Sequence, residues 1–171
     1  CLGTRLDVEL CLSSESRTHR AGAVVRRSLV SGVNKTCELC SPSGEDLIWS
    51  DEFCRVICVD EKNHPVFLRV ITQAHVAEFS DLSSEDRNRL MHVVYVVEQG
   101  LRQLLNPTKI NLASFGNMVP HLHWHVIPRF DHDPHYPNPI WGQPTGGTSV
   151  EIPLGFWDEF TAFVKSQLIA S

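Results

Sequence analysis

The sequence predicts an α+β domain: an antiparallel meander sheet of about five strands, one long helix packed on it and a second helix at the C-terminus. Three observations lead there. Five short apolar segments rich in Val and Ile are spaced along residues 47–127, as strands of one sheet would be. A single long stretch with helical spacing interrupts them between the third and fourth. The end of the chain carries one further amphipathic pattern.

The strands are expected near 47–49, 53–59, 66–71, 109–114 and 121–127. Ser83-Ser84-Glu85-Asp86 is a Ser-x-x-Asp cap that opens a helix over 84–105. On that helix Leu90, Met91, Val94, Val97, Leu101 and Leu104 share one face, and Pro107 ends it. Residues 131–147 are rich in proline and irregular, and 154–168 reads as the C-terminal helix. No repeat or low-complexity tract is visible.

A chain of 171 residues, 42% hydrophobic and 20% charged with a net charge of -5, has the make-up of one compact domain. Residues 35–171 are assigned to it. Residues 1–34 show no periodicity and are read as an extension that could be flexible, with a targeting segment as an alternative. Residues 1–35 hold six Lys or Arg against three acids, which leaves the rest at nine against seventeen. An acidic body needs a local anion site, since its overall field repels anions. Without a basic run interleaved with aromatics, a nucleic-acid partner is not expected. Without an apolar run of roughly 18 residues or a charged-then-apolar leader, neither is a membrane, and cytoplasm is the expected compartment.

The chemistry concentrates in His121-Leu122-His123-Trp124-His125-Val126-Ile127. In a strand, side chains alternate between faces, so the three imidazoles point one way and Leu122, Trp124 and Val126 the other. Three histidines in register have no packing rationale on a solvated strand. They suit a metal site of three nitrogens, or covalent catalysis in which the middle imidazole attacks an electrophile.

Cysteines stand at 1, 11, 37, 40, 54 and 58. Cys54 and Cys58, four apart on one strand, lie about 13 Å from each other, beyond disulfide reach, and are read as reduced. Cys37-Glu38-Leu39-Cys40 is either a redox pair or half of a zinc site.

The heptad fills every position of His-φ-His-φ-His-φ-φ, with φ apolar, and is preceded by Asn111-Leu112-Ala113-Ser114-Phe115-Gly116-Asn117 and followed by Pro128-Arg129. On these residues, and on 66–71, His75–Phe79 and the helix after Ser84, the chain resembles the histidine triad (HIT) family, in particular a small bacterial branch. The likeness runs from about Cys37 to Trp141. It implies a nucleotide hydrolase or nucleotidyl transferase working through a covalent nucleotidyl-histidine, or alternatively a nucleotide-binding or interaction module of the same fold with negligible turnover.

In the first case the resemblance makes His123 the nucleophile, gives His125 a place beside the phosphate oxygens or the leaving group, and makes His121 structural. Gly116 and Asn117 would bind phosphate and Asp60 the ribose hydroxyls. Cys37, Cys40, His75 and His121 would hold a structural zinc. An extra family histidine is replaced here by Phe67. Trp141 is read as a core aromatic rather than a cap on the base, and His19, His92, His132 and His135 as ordinary surface or helix histidines. A two-fold homodimer is expected, because Val93 and Val96 lie off the helix's apolar stripe and leave a surplus for an interface.

Overall fold

A computed structural model describes residues 36–41 and 44–168. The expectations for residues 1–34, with Cys1, Cys11 and His19, lie outside the described residues. A 3₁₀ turn at Glu38–Cys40 leads into β1 (Asp46–Ser50), β2 (Cys54–Val59) and β3 (Phe67–Thr72), then α1 (Ser84–Leu105), β4 (Lys109–Ala113), β5 (His123–Arg129) and α2 (Phe156–Leu168). All neighbours are antiparallel, in the order β1-β2-β3-β5-β4. The first three strands form a meander. α1 then carries the chain to the far edge, and β5 fills the gap between β3 and β4.

Local chemistry sets the joints. Asp51 Oδ1 accepts from the backbone N–H groups of Phe53 (2.8 Å) and Cys54 (2.7 Å), which closes the β1–β2 turn. Ser83 caps α1 by accepting from the Asp86 N–H at 3.0 Å. Asn106 ends the helix in the left-handed region, at φ 44°, which its short polar side chain tolerates.

One face of the sheet is core. Val56, Leu68, Val70, Ile110 and Val126 pack against Leu90, Val94, Val97 and Leu101 of α1 and Phe160 and Val164 of α2. The two helices approach at Gly100, where an added Cβ would lie 2.8 Å from Phe163 Cδ1 and 2.9 Å from Phe160 Cε2. Val93 and Val96 are both buried within the chain. The apolar surplus that argued for a dimer is therefore absorbed internally, because the buried arc of α1 is wider than one stripe.

The ladder of β5 begins at His123, two residues later than expected. Pro120 has no N–H to donate, and the chain turns there with the His121 N–H donating to the Val119 carbonyl at 2.8 Å. At its other end β5 runs through Pro128 to Arg129, because only β4 pairs with it there.

Candidate active site

The register places Ile57, Arg69, Ile71, His123, His125 and Ala113 on the sheet face opposite the core. No helix covers this face among the described residues. It is roofed by the Glu38–Cys40 turn, the β4–β5 loop and the 131–147 segment, which leave a cavity of about 500 Å³ lined by Glu38, Leu39, Arg69, residues 115–119, His123, His125 and Trp141.

His123 is held by a short hydrogen bond in which Nδ1 donates to the carbonyl of His121 at 2.6 Å. That contact assigns the proton to Nδ1 and leaves the Nε2 lone pair free. Burial lowers the imidazole's pKa, so it stays neutral and nucleophilic. His125 neighbours it, with ring centroids 4.8 Å apart. Burial first, then the repulsion that a second protonated ring beside His123 would meet and the charge of Arg69, push its pKa down to about 3. Both His125 nitrogens are buried without a hydrogen-bond partner among the described residues. Buried polar atoms are seldom left so, and here they point to a ligand.

His121 does something different. Its Nε2 donates to the Thr72 carbonyl at 2.7 Å, and its Nδ1 lies 3.5 Å from Cys37 Sγ and 3.4 Å from Cys40 Sγ. His75 Nδ1 lies 3.3 Å from Cys40 Sγ. In a tetrahedral zinc site, with Zn–S about 2.3 Å and Zn–N about 2.0 Å, sulfur and nitrogen stand about 3.5 Å apart. The four donors all lie within 4.8 Å of one another, so they already have the spacing of a closed S₂N₂ cage. The expected row of three imidazoles thus divides. His123 and His125 face the cavity, while His121 precedes the strand, is fully buried and belongs to the cysteine cluster.

Cys54 and Cys58 are free, and burial pushes their thiols up to about 12 and about 11. They are inert at neutral pH.

Gly116 and Asn117 line the cavity. Asp60 does not; it is exposed in an adjoining depression that shares Glu38, Leu39 and Arg69 with it. Trp141 is no core aromatic. It is 55% exposed, with its ring 5.3 Å from His125 and 5.1 Å from Phe115, which is itself 47% exposed. Phe67, where the family's extra histidine was aligned, packs edge-on to His125 at 5.1 Å.

Sequence reasoning gave no role to Phe115 or Arg69. Arg69 carried a usable signal, as the one charge inside the apolar run 66–71.

The 131–147 segment is fixed by Arg129, which is buried. Its Nε and Nη2 donate to the two oxygens of Asp133 at 2.8 and 3.0 Å, and Nη1 donates to Asn111 Oδ1 at 2.8 Å. Asp133 also accepts from the N–H groups of Phe130, His135 and Tyr136. Its pKa falls to about 2: burial acts to raise it, and the hydrogen bonds with Arg129 and the backbone outweigh that. His135 is therefore not a surface histidine. It is buried, 3.0 Å from Nε2 of the equally buried His64 in the β2–β3 loop.

A family profile described as the HIT domain matches residues 43–132, more than half of the chain. Among solved structures, a histidine triad protein from Sinorhizobium meliloti is 29% identical, with a TM-score of 0.57 over 72% of this chain and 90% of that one. One from Marinobacter aquaeolei is 27% identical, with a TM-score of 0.54 over 73% and 86%. A zinc-bound histidine triad family protein from Mycobacterium smegmatis shares the fold, at 19% identity and a TM-score of 0.55 over 77% and 94%. Comparison with curated proteins gives no match. With the profile spanning the sheet, the long helix and the whole histidine motif, the chain belongs to the histidine triad family.

Proposed function

We propose that the protein is a nucleotide hydrolase or nucleotidyl transferase that attacks the α-phosphate of a nucleoside polyphosphate or phosphoramidate through His123. The family is one of nucleotide-binding hydrolases and transferases. The observation that carries the reading is the 2.6 Å bond from His123 Nδ1 to the His121 carbonyl, which frees Nε2 toward the cavity.

In the first step Nε2 bonds to phosphorus as the bond to the leaving group breaks, with the electron pair departing on that group. The substituted ring carries a positive charge, and the His121 carbonyl keeps hold of the Nδ1 proton and stabilises it. Water then attacks phosphorus, the P–N bond breaks, its pair returns to Nε2, and the surplus proton passes to solvent. His125, neutral, has one N–H to offer a phosphate oxygen. Gly116 and Asn117 line the cavity, and the amide of the one and the side chain of the other would bind the same phosphate.

Cys37, Cys40, His75 and His121 would hold zinc, a reading that the donor spacing supports and that the zinc-bound relative of the same fold accompanies. With all four positions filled by protein, the ion would supply a cross-link and no open coordination site. It would fix the Glu38–Leu39 rim and the His121 carbonyl.

The test is a nucleotide labelled at its α-phosphorus, mixed with the protein and quenched. Label recovered on the peptide containing His123, and absent in His123→Asn, is the expected result. Turnover without transient labelling, or unchanged labelling in the variant, would reject covalent catalysis at this residue.

A further inference from the structure

The cysteines of the described residues are of two kinds. Cys54 and Cys58 lie on β2, about 13 Å apart along the strand and beyond disulfide reach of each other, with their thiols held high by burial. Cys37 and Cys40 flank Glu38 and Leu39 in the 3₁₀ turn, where the Cys40 N–H donates to the Cys37 carbonyl at 3.0 Å. A turn closed by an i→i+3 bond holds its end Cα atoms within about 7 Å, the span that a disulfide bridges. The two sulfurs are no more than 4.8 Å apart, in one group with a nitrogen of His75 and of His121. They already face one point, and a bond between them needs only their closure to about 2 Å.

Holding a metal makes this pair reactive as well as close. A coordinated thiol is deprotonated outright, and the thiolate is the form that attacks. Cys37 is buried and Cys40 half-buried, so an oxidant meets the Cys40 sulfur first. The turn is also part of the active cavity, because Glu38 and Leu39 contribute to its lining. Leu39 packs with Cys37, Ile57 and Ile71 in a small cluster apart from the main core, which Cys40 and Val119 of the β4–β5 loop join. His121 links the turn to the nucleophile, with its ring at the two sulfurs and its carbonyl on His123 Nδ1.

We propose that Cys37 and Cys40 are a redox modification site, at which hydrogen peroxide turns the two thiolates into a disulfide, expels the zinc and loosens the wall of the cavity; this rests on the zinc reading above. The Cys40 sulfur attacks one peroxide oxygen, the O–O bond breaks, and hydroxide leaves and is protonated to water. Cys40 is then a sulfenic acid. The Cys37 thiolate attacks its sulfur, the S–S bond forms, and a second hydroxide leaves and is protonated. Two thiolates have lost two electrons, and one peroxide with two protons has become two waters. Zinc binds thiolates, so a disulfide leaves it with two imidazoles, too few to close a tetrahedral site. As the sulfurs draw together they part from the His121 ring, and the Glu38–Leu39 rim moves with them.

The experiment treats the full-length, zinc-loaded protein with hydrogen peroxide, quenches with catalase and takes three readings. A metal-sensitive dye should report one zinc released per chain. Fragment mapping should place the new bond between Cys37 and Cys40, with Cys54 and Cys58 still alkylated as thiols after denaturation. Hydrogen exchange in peptides covering 38–39 and 121–123 should quicken about tenfold or more. A dithiol with added zinc should reverse all three. Cys37→Ser, which leaves Cys40 without its partner sulfur, should gain oxygen at Cys40 and form no bond there; the wild-type mapping stands whether or not this variant folds. A disulfide to Cys1 or Cys11, oxidation of Cys40 with no bond to Cys37, zinc retained beside the disulfide, or unchanged exchange would each overturn the proposal. Protein that takes up no zinc rejects the metal reading, and with it the release step; mapping and exchange then decide whether the thiol pair is a redox site at all. No reading uses a nucleotide, so failure of the hydrolase reading shows separately.

Discussion

The backbone carbonyl of His121 accepts the Nδ1 proton of His123 at 2.6 Å, while the ring of the same His121 sits with Cys37 and Cys40. One residue therefore serves two sites with two different groups, and substitution can separate them. His123→Asn should lower kcat by about three orders of magnitude with the fold intact, because only the nucleophile is lost. His121→Ala keeps the carbonyl. It should cost about 2–5 kcal/mol of stability, as deletion of a fully buried ring does, yet leave far more activity per folded molecule than His123→Asn. Equal activity losses in the two variants would contradict this division.

Metal analysis should give one zinc per chain. Chelation should lower the melting temperature and open Cys37 and Cys40 to alkylation, while Cys54 and Cys58 stay unreactive because burial holds their thiols near 12 and 11. Peptide mapping reads each cysteine separately. Zinc-free protein with Cys37 and Cys40 already reactive would reject the cage.

Stability should fall as the pH drops below about 6.5. His125 and His64 are both held neutral by burial, His125 with a pKa of about 3. Above the unfolded value near 6.5 neither state binds the proton; below it the unfolded chain does and the folded one does not. The slope for each such imidazole is at most about 1.4 kcal/mol per pH unit. Denaturant midpoints at pH 7.5 and 5 measure it, and His125→Phe should reduce it. A midpoint that is flat or higher at pH 5 would count against neutral burial.

Asp133→Asn should destabilise the fold by about 3–5 kcal/mol, because it leaves the Arg129 charge buried without a counter-ion. Urea titration checks this. A loss under about 1 kcal/mol would mean that Asn111 and the Asn138 carbonyl hold Arg129 unaided.

The parts of this molecule that could be read from the chain were those set by short-range periodicity. The run Val66 to Ile71, the cap at Ser83 and the alternation of Trp124 and Val126 with His123 and His125 each need only neighbours a few residues away. His121 escaped that parity, because Pro120 and the Thr72 carbonyl fix it outside the ladder. His135, Asp133 and Trp141 sit in a proline-rich stretch with the composition of a surface loop. What buries the first two is contact with His64 and Arg129, and the first of those partners is 71 positions away. Asp60 was placed by analogy, and the β2–β3 loop carries it into the depression that adjoins the cavity across Glu38, Leu39 and Arg69.

The roof over the histidines comes in two halves with separate fastenings. The Glu38–Leu39 rim is tied down through the cysteine cluster, and Trp141 rides on a segment clamped by Arg129 and Asp133. No described hydrogen bond joins one fastening to the other. Disturbing both at once should therefore give a free-energy change equal to the sum of the separate changes, as for independent sites. Ligand affinity would thus have two dials, one turned by metal supply and the other sealed within the chain.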